Sequence, residues 1–213
     1  METGAQVAER VAWLNQIAVG LMAMNEPLRF AIAAAPEELH QVYRLRYEAV
    51  IEKGWKQPEE LPDGIEKDAY DDDAVQLVVW DDGIETVPVL AATTRLVFPA
   101  DGRRLPTEAA FDITFEPAGR VVDVGRTIVA RPYRDARRHM LLQGVIAHSW
   151  VEITARGYHE ISAILTRDMI DRYHEVGFEV TTVAPPQPYW GVERYPCQFD
   201  LLKTATVLKQ RLE

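Results

Sequence analysis

Three stretches of this 213-residue chain concentrate side chains able to do chemistry. The first, 66-EKDAYDDD-73, sets Glu66, Asp68, Asp71, Asp72 and Asp73 just ahead of the strand-like run 75-VQLVVW-80. Carboxylates at that density serve as a metal loop, a solvated acidic turn, or half of a recognition site for a cation. The second, 123-DVGR-126, places a carboxylate and a guanidinium three residues apart in the most strand-like segment, 120-RVVDVGRTIVA-130. An odd step along a regular strand sends Asp123 and Arg126 to opposite faces. A bulge at Gly125 is therefore expected, turning both toward one cleft. The third, 131-RPYRDARR-138, carries Arg131, Arg134, Arg137 and Arg138, a focused cationic patch on a chain of net charge −10. It suits an anionic ligand, or a solvated turn whose arginines pair with nearby acids.

The remaining composition removes several classes of function. A net charge of −10 disfavours nucleic-acid binding and a broad anionic-membrane surface. Cys197 is the one cysteine, which excludes an internal disulfide and a cysteine-rich zinc site. No base stands near it in its expected strand, so no thiol nucleophile is expected. Counted from Asp68, the glycine position of a calcium loop holds Asp73 and the bidentate glutamate position holds Val79, so no metal is expected there. His40, His139, His148, His159 and His174 show no ligand spacing. The chain contains no G-x-S-x-G, H-E-x-x-H, C-x-x-C or G-x-G-x-x-G motif. The N-terminal apolar stretch is broken by Asn15 and Gln16, and no run is long enough to span a bilayer. A cytoplasmic protein, monomeric or homodimeric, is the expectation.

The elements that must position these groups follow from periodicity. Val7, Val11, Leu14, Ala18 and Leu21 form the stripe of an amphipathic helix, an appendage over residues 1–26 docked on the domain or on a second subunit. One domain is expected over 27–213. It starts with a strand at 28–33 and a helix at 36–53, opened by Pro36 and stopped by Gly54. On that helix Leu39, Val42, Tyr43 and Val50 make the buried face, and Arg46 falls on the same stripe. An arginine on an apolar face needs an anionic partner or a site to line. Strands follow at 75–80, 88–98 and 120–130, then a helix at 137–156 and a strand at 160–165. A helix at 168–176 and strands at 178–183 and 195–202 complete the chain. The fold class is α+β: a mixed central sheet flanked by helices, with an extra helix at the N-terminus.

The segments 44-RLRYEAVIEKGW-55, 63-DGIEKDAYD-71, 92-ATTRLVFP-99 and 123-DVGR-126 together resemble a family pattern. It is that of the N-acyl-homoserine-lactone (autoinducer) synthases and the long-chain N-acyl amino acid synthases, both of the GNAT acyltransferase superfamily. The resemblance covers roughly residues 28 to 183 and implies the superfamily's three-layer sandwich. It implies substrate-binding roles for Arg46, Trp55, Asp68, Asp71 and Arg95. Glu66, Asp72 and Asp73 have no counterpart and are expected on a solvated rim. Asp123 and Arg126 stand where the family has Glu-x-x-Arg, and 173-YHEVGF-178 is similar to a superfamily ending whose tyrosine, here Tyr173, protonates the departing thiolate. Two departures are visible: Arg46 and Trp55 are one residue closer than in the lactone synthases, with Val50 for an aromatic, and Asp123 replaces glutamate.

The implied chemistry is transfer of an acyl group from a thioester to an amine. It needs a neutral amine, a stabilised oxyanion and a proton for the leaving thiolate. Asp123 is the candidate base, with Arg126 beside it and Tyr173 as the acid. The loop 131-RPYRDA-136 stands where the superfamily cradles the donor's pyrophosphate, with Arg134 in a glycine position. Its arginines (Arg131, Arg134, Arg137 and Arg138) suit the phosphopantetheine of an acyl-carrier protein or of coenzyme A. The acceptor implied is a small amino-acid-like amine, with no bound cofactor. The alternatives are a lactone synthase, a small-acyl coenzyme A N-acetyltransferase, and a non-catalytic module that binds acyl groups or carrier protein.

Overall fold

The helix expected at 36–53 begins at Pro36, where a missing N–H costs nothing, and Glu38 reaches back to cap it. Its Oε2 accepts the backbone N–H groups of Ala34 and Ala35 at 3.0 and 3.1 Å. The structure, a computed structural model, describes residues 3–83, 87–134 and 138–212. Six helices are described: α1 (Gly4–Ala23), α2 (Pro36–Glu52), α3 (Pro106–Phe111), α4 (Arg138–Ala155), α5 (Arg167–Val176) and α6 (Leu201–Leu212). The strands are β1 (Arg29–Ala33), β2 (Val75–Asp81), β3 (Val89–Val97), β4 (Val121–Val129), β5 (Glu160–Leu165), β6 (Val180–Thr182), β7 (Gln187–Tyr189) and β8 (Val192–Asp200). Two compact units share them, with β4 contributing its first half to one and its second half to the other.

The first unit comprises Ala18–Leu96 and Gly125–Ser149. Here β1, β2 and β3 run antiparallel, with Phe30 opposite Val79 and Gln76 opposite Arg95. The end of β4 lies beside β3, where the Ala130 N–H donates to the Ala91 carbonyl at 2.8 Å. Alternate residues of β2 enter different cores. Val78 and Trp80 join Val42, Tyr43 and Leu45 of α2, and Val79 joins Leu141 and Val145 of α4. With helices over both faces, β2 reads as a continuous apolar run rather than an alternation. Arg46, Gln76, Thr93, Thr94 and Arg95 are polar residues buried among these apolar ones.

The second unit comprises Met1–Ile17, Val97–Val124 and Trp150–Glu213. The start of β4 is parallel to β5, with Asp123 opposite Ser162. Strand β8 pairs antiparallel with β5, β6 and β7. The N-terminal helix docks on the chain's own helices: Arg10 donates to Thr206 Oγ1 of α6 at 3.0 Å, and Asn15 accepts from Thr154 Oγ1 of α4 at 3.0 Å.

Expectation and structure differ in three places. The last strand spans Val192–Asp200, and the chain then becomes α6 because Asp200 Oδ1 caps it, accepting the Lys203 N–H at 2.9 Å. The loop after β3 contains α3, whose Glu108 carboxylate accepts the N–H groups of Leu105 and Phe115, both at 2.8 Å. The Pro- and aromatic-rich loop contains β7, a three-residue edge strand where Pro188 is tolerated.

Candidate active site

Within the first unit, α2, the loop before β2, β3 and β4 converge on one charged network. Arg46 of α2 donates through Nε to Glu66 Oε2 at 2.6 Å. Its Nη1 and Nη2 form a fork on Asp71 at 2.7 and 3.0 Å. Arg95 of β3 donates through Nη1 to Asp68 Oδ1 at 2.7 Å and to Asp71 Oδ1 at 3.0 Å. Arg126 of β4 donates through Nη2 to Glu66 Oε1 and Asp68 Oδ2, both at 3.0 Å. Gln76 completes the set, its Nε2 donating to Asp71 Oδ1 at 2.8 Å. Three guanidinium groups thus meet three carboxylates, and the Arg46–Asp71 fork is bidentate, the geometry in which arginine pairs are strongest. The loop is drawn tight as well, because the Asp68 N–H donates to Asp71 Oδ2 at 2.8 Å.

This arrangement corrects two expectations. Glu66 is not a rim residue. It is 6% exposed and bridges Arg46 and Arg126. Three buried or nearly buried arginines need three acids, and Asp68 and Asp71 supply only two. Asp72 does lie on the rim, paired with Lys67 at 2.8 Å. The irregularity expected at Gly125 falls one residue later, where Arg126 itself adopts a left-handed φ of 55°. Such a conformation is costly for a residue with a side chain and needs surroundings that hold it, here the ion pairs to Glu66 and Asp68.

The two aspartates of the motif differ in access. The Asp71 side chain is 0% exposed and Asp68 is 30% exposed, so Asp68 is the one open to a ligand. Burial alone would raise the Asp71 carboxyl, but the hydrogen bonds and charge of Arg46, with the charge of Arg95, hold it far below the usual range. Glu66 is lowered in the same way: burial opposes, and the charges of Arg46 and Arg126 overcome it. A carboxyl lowered on folding contributes stability above its unfolded pKa and loses it on acidification. The unfolding midpoint is therefore expected to be level from neutral pH down to about 5 and to fall below about pH 4. Thermal unfolding across that range checks it, and a midpoint that climbs in acid contradicts an ionised network.

Within the second unit, Asp123 is 4% exposed. Its Oδ2 accepts the backbone N–H of Thr107 and the Ser162 hydroxyl, both at 3.0 Å. Tyr173 of α5 stands edge-on to Phe178 and to Phe199, with ring centroids 5.1 Å apart in each pair. Burial pushes its phenol up to about 12, so it is protonated at neutral pH. Cys197 is fully buried in β8 and its thiol is also pushed up to about 12, the opposite of an activated nucleophile.

The arginine patch is divided. Arg131 is exposed on a 3-10 turn over 131–133. Arg134 is committed within the protein, donating to the Val129 carbonyl and to Glu52 Oε2, both at 2.7 Å. Arg137 and the side chain of Arg138 lie outside the described residues. Trp55 is half-buried just past α2, its N–H donating to the Val50 carbonyl at 2.9 Å. Among the described residues no group of His, Cys, Asp and Glu side chains could hold a metal ion.

Residues 45–143 match the model of the acetyltransferase (GNAT) domain. Over 160 residues, 70% of this chain, it is 27% identical to isovaleryl-homoserine lactone synthase of Bradyrhizobium diazoefficiens. The match spans 66% of that relative, just under two thirds of its length. Among solved structures, the fold is similar to that of the CoA-dependent acyl-homoserine lactone synthase BjaI, solved with SAM and isopentyl-CoA. That likeness has a TM-score of 0.58 at 25% identity and covers 82% of this chain and 81% of BjaI. FeeM, an N-acyl amino acid synthase from uncultured soil microbes, shares the fold with a TM-score of 0.63 at 13% identity, over 89% of this chain and 99% of that one. The matched residues contain the whole arginine–carboxylate network together with Asp123, Arg131 and Arg134. Tyr173 lies beyond them.

Proposed function

We propose that this chain is an N-acyltransferase moving an acyl group from a thioester to the amino group of an amino-acid-like acceptor. The observation that carries the reading is the network of Arg46, Glu66, Asp68, Asp71, Arg95 and Arg126, built inside a GNAT domain from the residues that resemble the synthase motif. A general acetyltransferase has no evident need of six interlocked charges. An enzyme that must seat a zwitterion does, because one end needs a cation and the other an anion.

In this reading Asp68, the exposed carboxylate, is the group of the network open to a cation, with Arg126 and Arg95 behind it. Asp71 and Glu66 act as anchors. Asp123 takes a proton from the attacking amine as its nitrogen adds to the thioester carbonyl. The carbon–sulfur bond then breaks, and Tyr173 gives the thiolate its proton. Arg131, exposed on its turn, is the member of the patch assigned to the donor's phosphates. An acyl-coenzyme A donor fits the relatives named above, and an acyl-carrier-protein thioester is the second candidate. S-adenosylmethionine, with which BjaI was solved, is the first acceptor to test, because the 25–27% identities fall on that branch. Free amino acids are the second. The reaction needs no bound cofactor and suits the cytoplasm.

The test is release of free coenzyme A from acetyl-, isovaleryl- and longer-chain acyl-coenzyme A, with S-adenosylmethionine or proteinogenic amino acids as acceptors. Acceptor-dependent release from a chain longer than acetyl is expected. Turnover confined to acetyl-coenzyme A would assign the small-acyl reaction instead. No release from any of these thioesters, or from the same acyl groups on a carrier protein, would leave a binding module.

A further inference from the structure

Asp123 is held by two donors that no step of the proposed reaction uses. Strands β4 and β5 are parallel, and Asp123 stands in register with Ser162. Register partners on a parallel pair present their side chains on the same face. The Ser162 hydroxyl donates to Asp123 Oδ2 at 3.0 Å, and the N–H of Thr107, in the first turn of α3, donates to the same oxygen at 3.0 Å. Both donors are completely buried, at 0% exposure each, so water does not compete for them. A carboxylate turns readily about its last bond, whose torsion is broad. A cross-strand hydroxyl and a helix-start amide on one oxygen remove that freedom.

We infer that Ser162 is a positioning residue for Asp123, fixing the plane of the carboxylate that takes the amine's proton. The inference rests on the reading of Asp123 as the base. Ser162, with no exposed surface, does not touch substrate and acts through Asp123 alone. An aspartate is also one methylene shorter than a glutamate, so it has less freedom to find its own alignment and depends more on a fixed one. Misalignment of a proton-transfer group lowers the rate of the chemical step and leaves binding of the substrates unchanged.

The experiment compares wild type, Ser162→Ala, Ser162→Thr, Asp123→Asn and the Ser162→Ala/Asp123→Asn double variant. Release of coenzyme A is followed from isovaleryl-coenzyme A with S-adenosylmethionine and, in parallel, with a mixture of proteinogenic amino acids. Ser162→Ala is expected to lower kcat about ten- to a hundredfold, the weight of a hydrogen bond to a charged group, with KM within about twofold. Ser162→Thr keeps the hydroxyl and is expected to recover most of the rate. In the Asp123→Asn background the alanine substitution is expected to cost nothing further, because the two residues act as one unit. Equal losses in both backgrounds, or a Ser162→Ala rate within about twofold of wild type beside a crippled Asp123→Asn, would overturn the positioning role. Full activity in Asp123→Asn, or none in wild type on either acceptor, would instead overturn the reading beneath it. Melting temperatures of all five proteins identify a variant that fails by unfolding. Should Ser162→Ala lose its fold, Ser162→Thr and Ser162→Cys carry the comparison, and activity that ignores the hydroxyl counts against the proposal.

Discussion

Arg46→Met is expected to destabilise the fold by about 3–5 kcal/mol, the cost of leaving buried charges without their partner. Methionine approximates the arginine stem, so the loss is electrostatic more than a matter of volume. Glu66 and Asp71, 8% and 0% exposed at the side chain, would lose the cation that both of them share. Arg126 still reaches Glu66 and Arg95 still reaches Asp71, which keeps the cost from doubling. The comparison that isolates burial is Arg44→Met, two residues away on the same helix. Arg44 pairs with Glu48 at 3.5 Å with both side chains more than half exposed, and such pairs contribute about 0–1 kcal/mol. Equilibrium urea unfolding of the two variants should therefore give a large fall in midpoint for Arg46 and almost none for Arg44. Equal effects would mean that the network is not the keystone of its unit.

The second large effect concerns rate. Asp123→Asn is expected to reduce kcat by about 10²–10⁴-fold, the range for removing a positioned general base. The amide is nearly the same size, and its oxygen can still accept from Thr107 and Ser162, so the fold should survive. The loss should appear in kcat and in kcat/KM alike, because proton removal belongs to the transition state rather than to binding. A raised KM with unchanged kcat would assign Asp123 to substrate binding. An unchanged rate with a lowered melting temperature would make it a structural cap of α3.

Much of this was legible in the sequence because the signals are local. Pro36 and Gly54 bracket α2, the apolar stripe of that helix contains Arg46, and the run 75–80 is buried on both faces as a continuous apolar strand must be. Glu66 was not legible. It sits in a loop with no periodicity, and its burial depends on guanidinium groups from α2 and β4 that are 20 and 60 residues away in the chain. The Asp123–Ser162 bond was hidden for the same reason, since it needs the register of two strands 39 residues apart. The helix α6 is not expected from the sequence although its signal is present. Asp200 is a good N-cap, but the apolar 199-FDLL-202 reads equally well as strand, and short apolar runs do not separate the two. At Arg126 the glycine beside it drew the expectation of a bulge, whereas ion pairs hold the arginine itself left-handed.

The central claim is that the acyl group goes to nitrogen, and mass spectrometry of the product reads that directly. Wild-type protein incubated with isovaleryl-coenzyme A and an amine acceptor is predicted to yield the N-acyl amide, with free coenzyme A in equal amount and almost no product from Asp123→Asn. Isovaleric acid and coenzyme A as the only products, at a rate indifferent to every acceptor offered, would show a thioesterase and contradict the account.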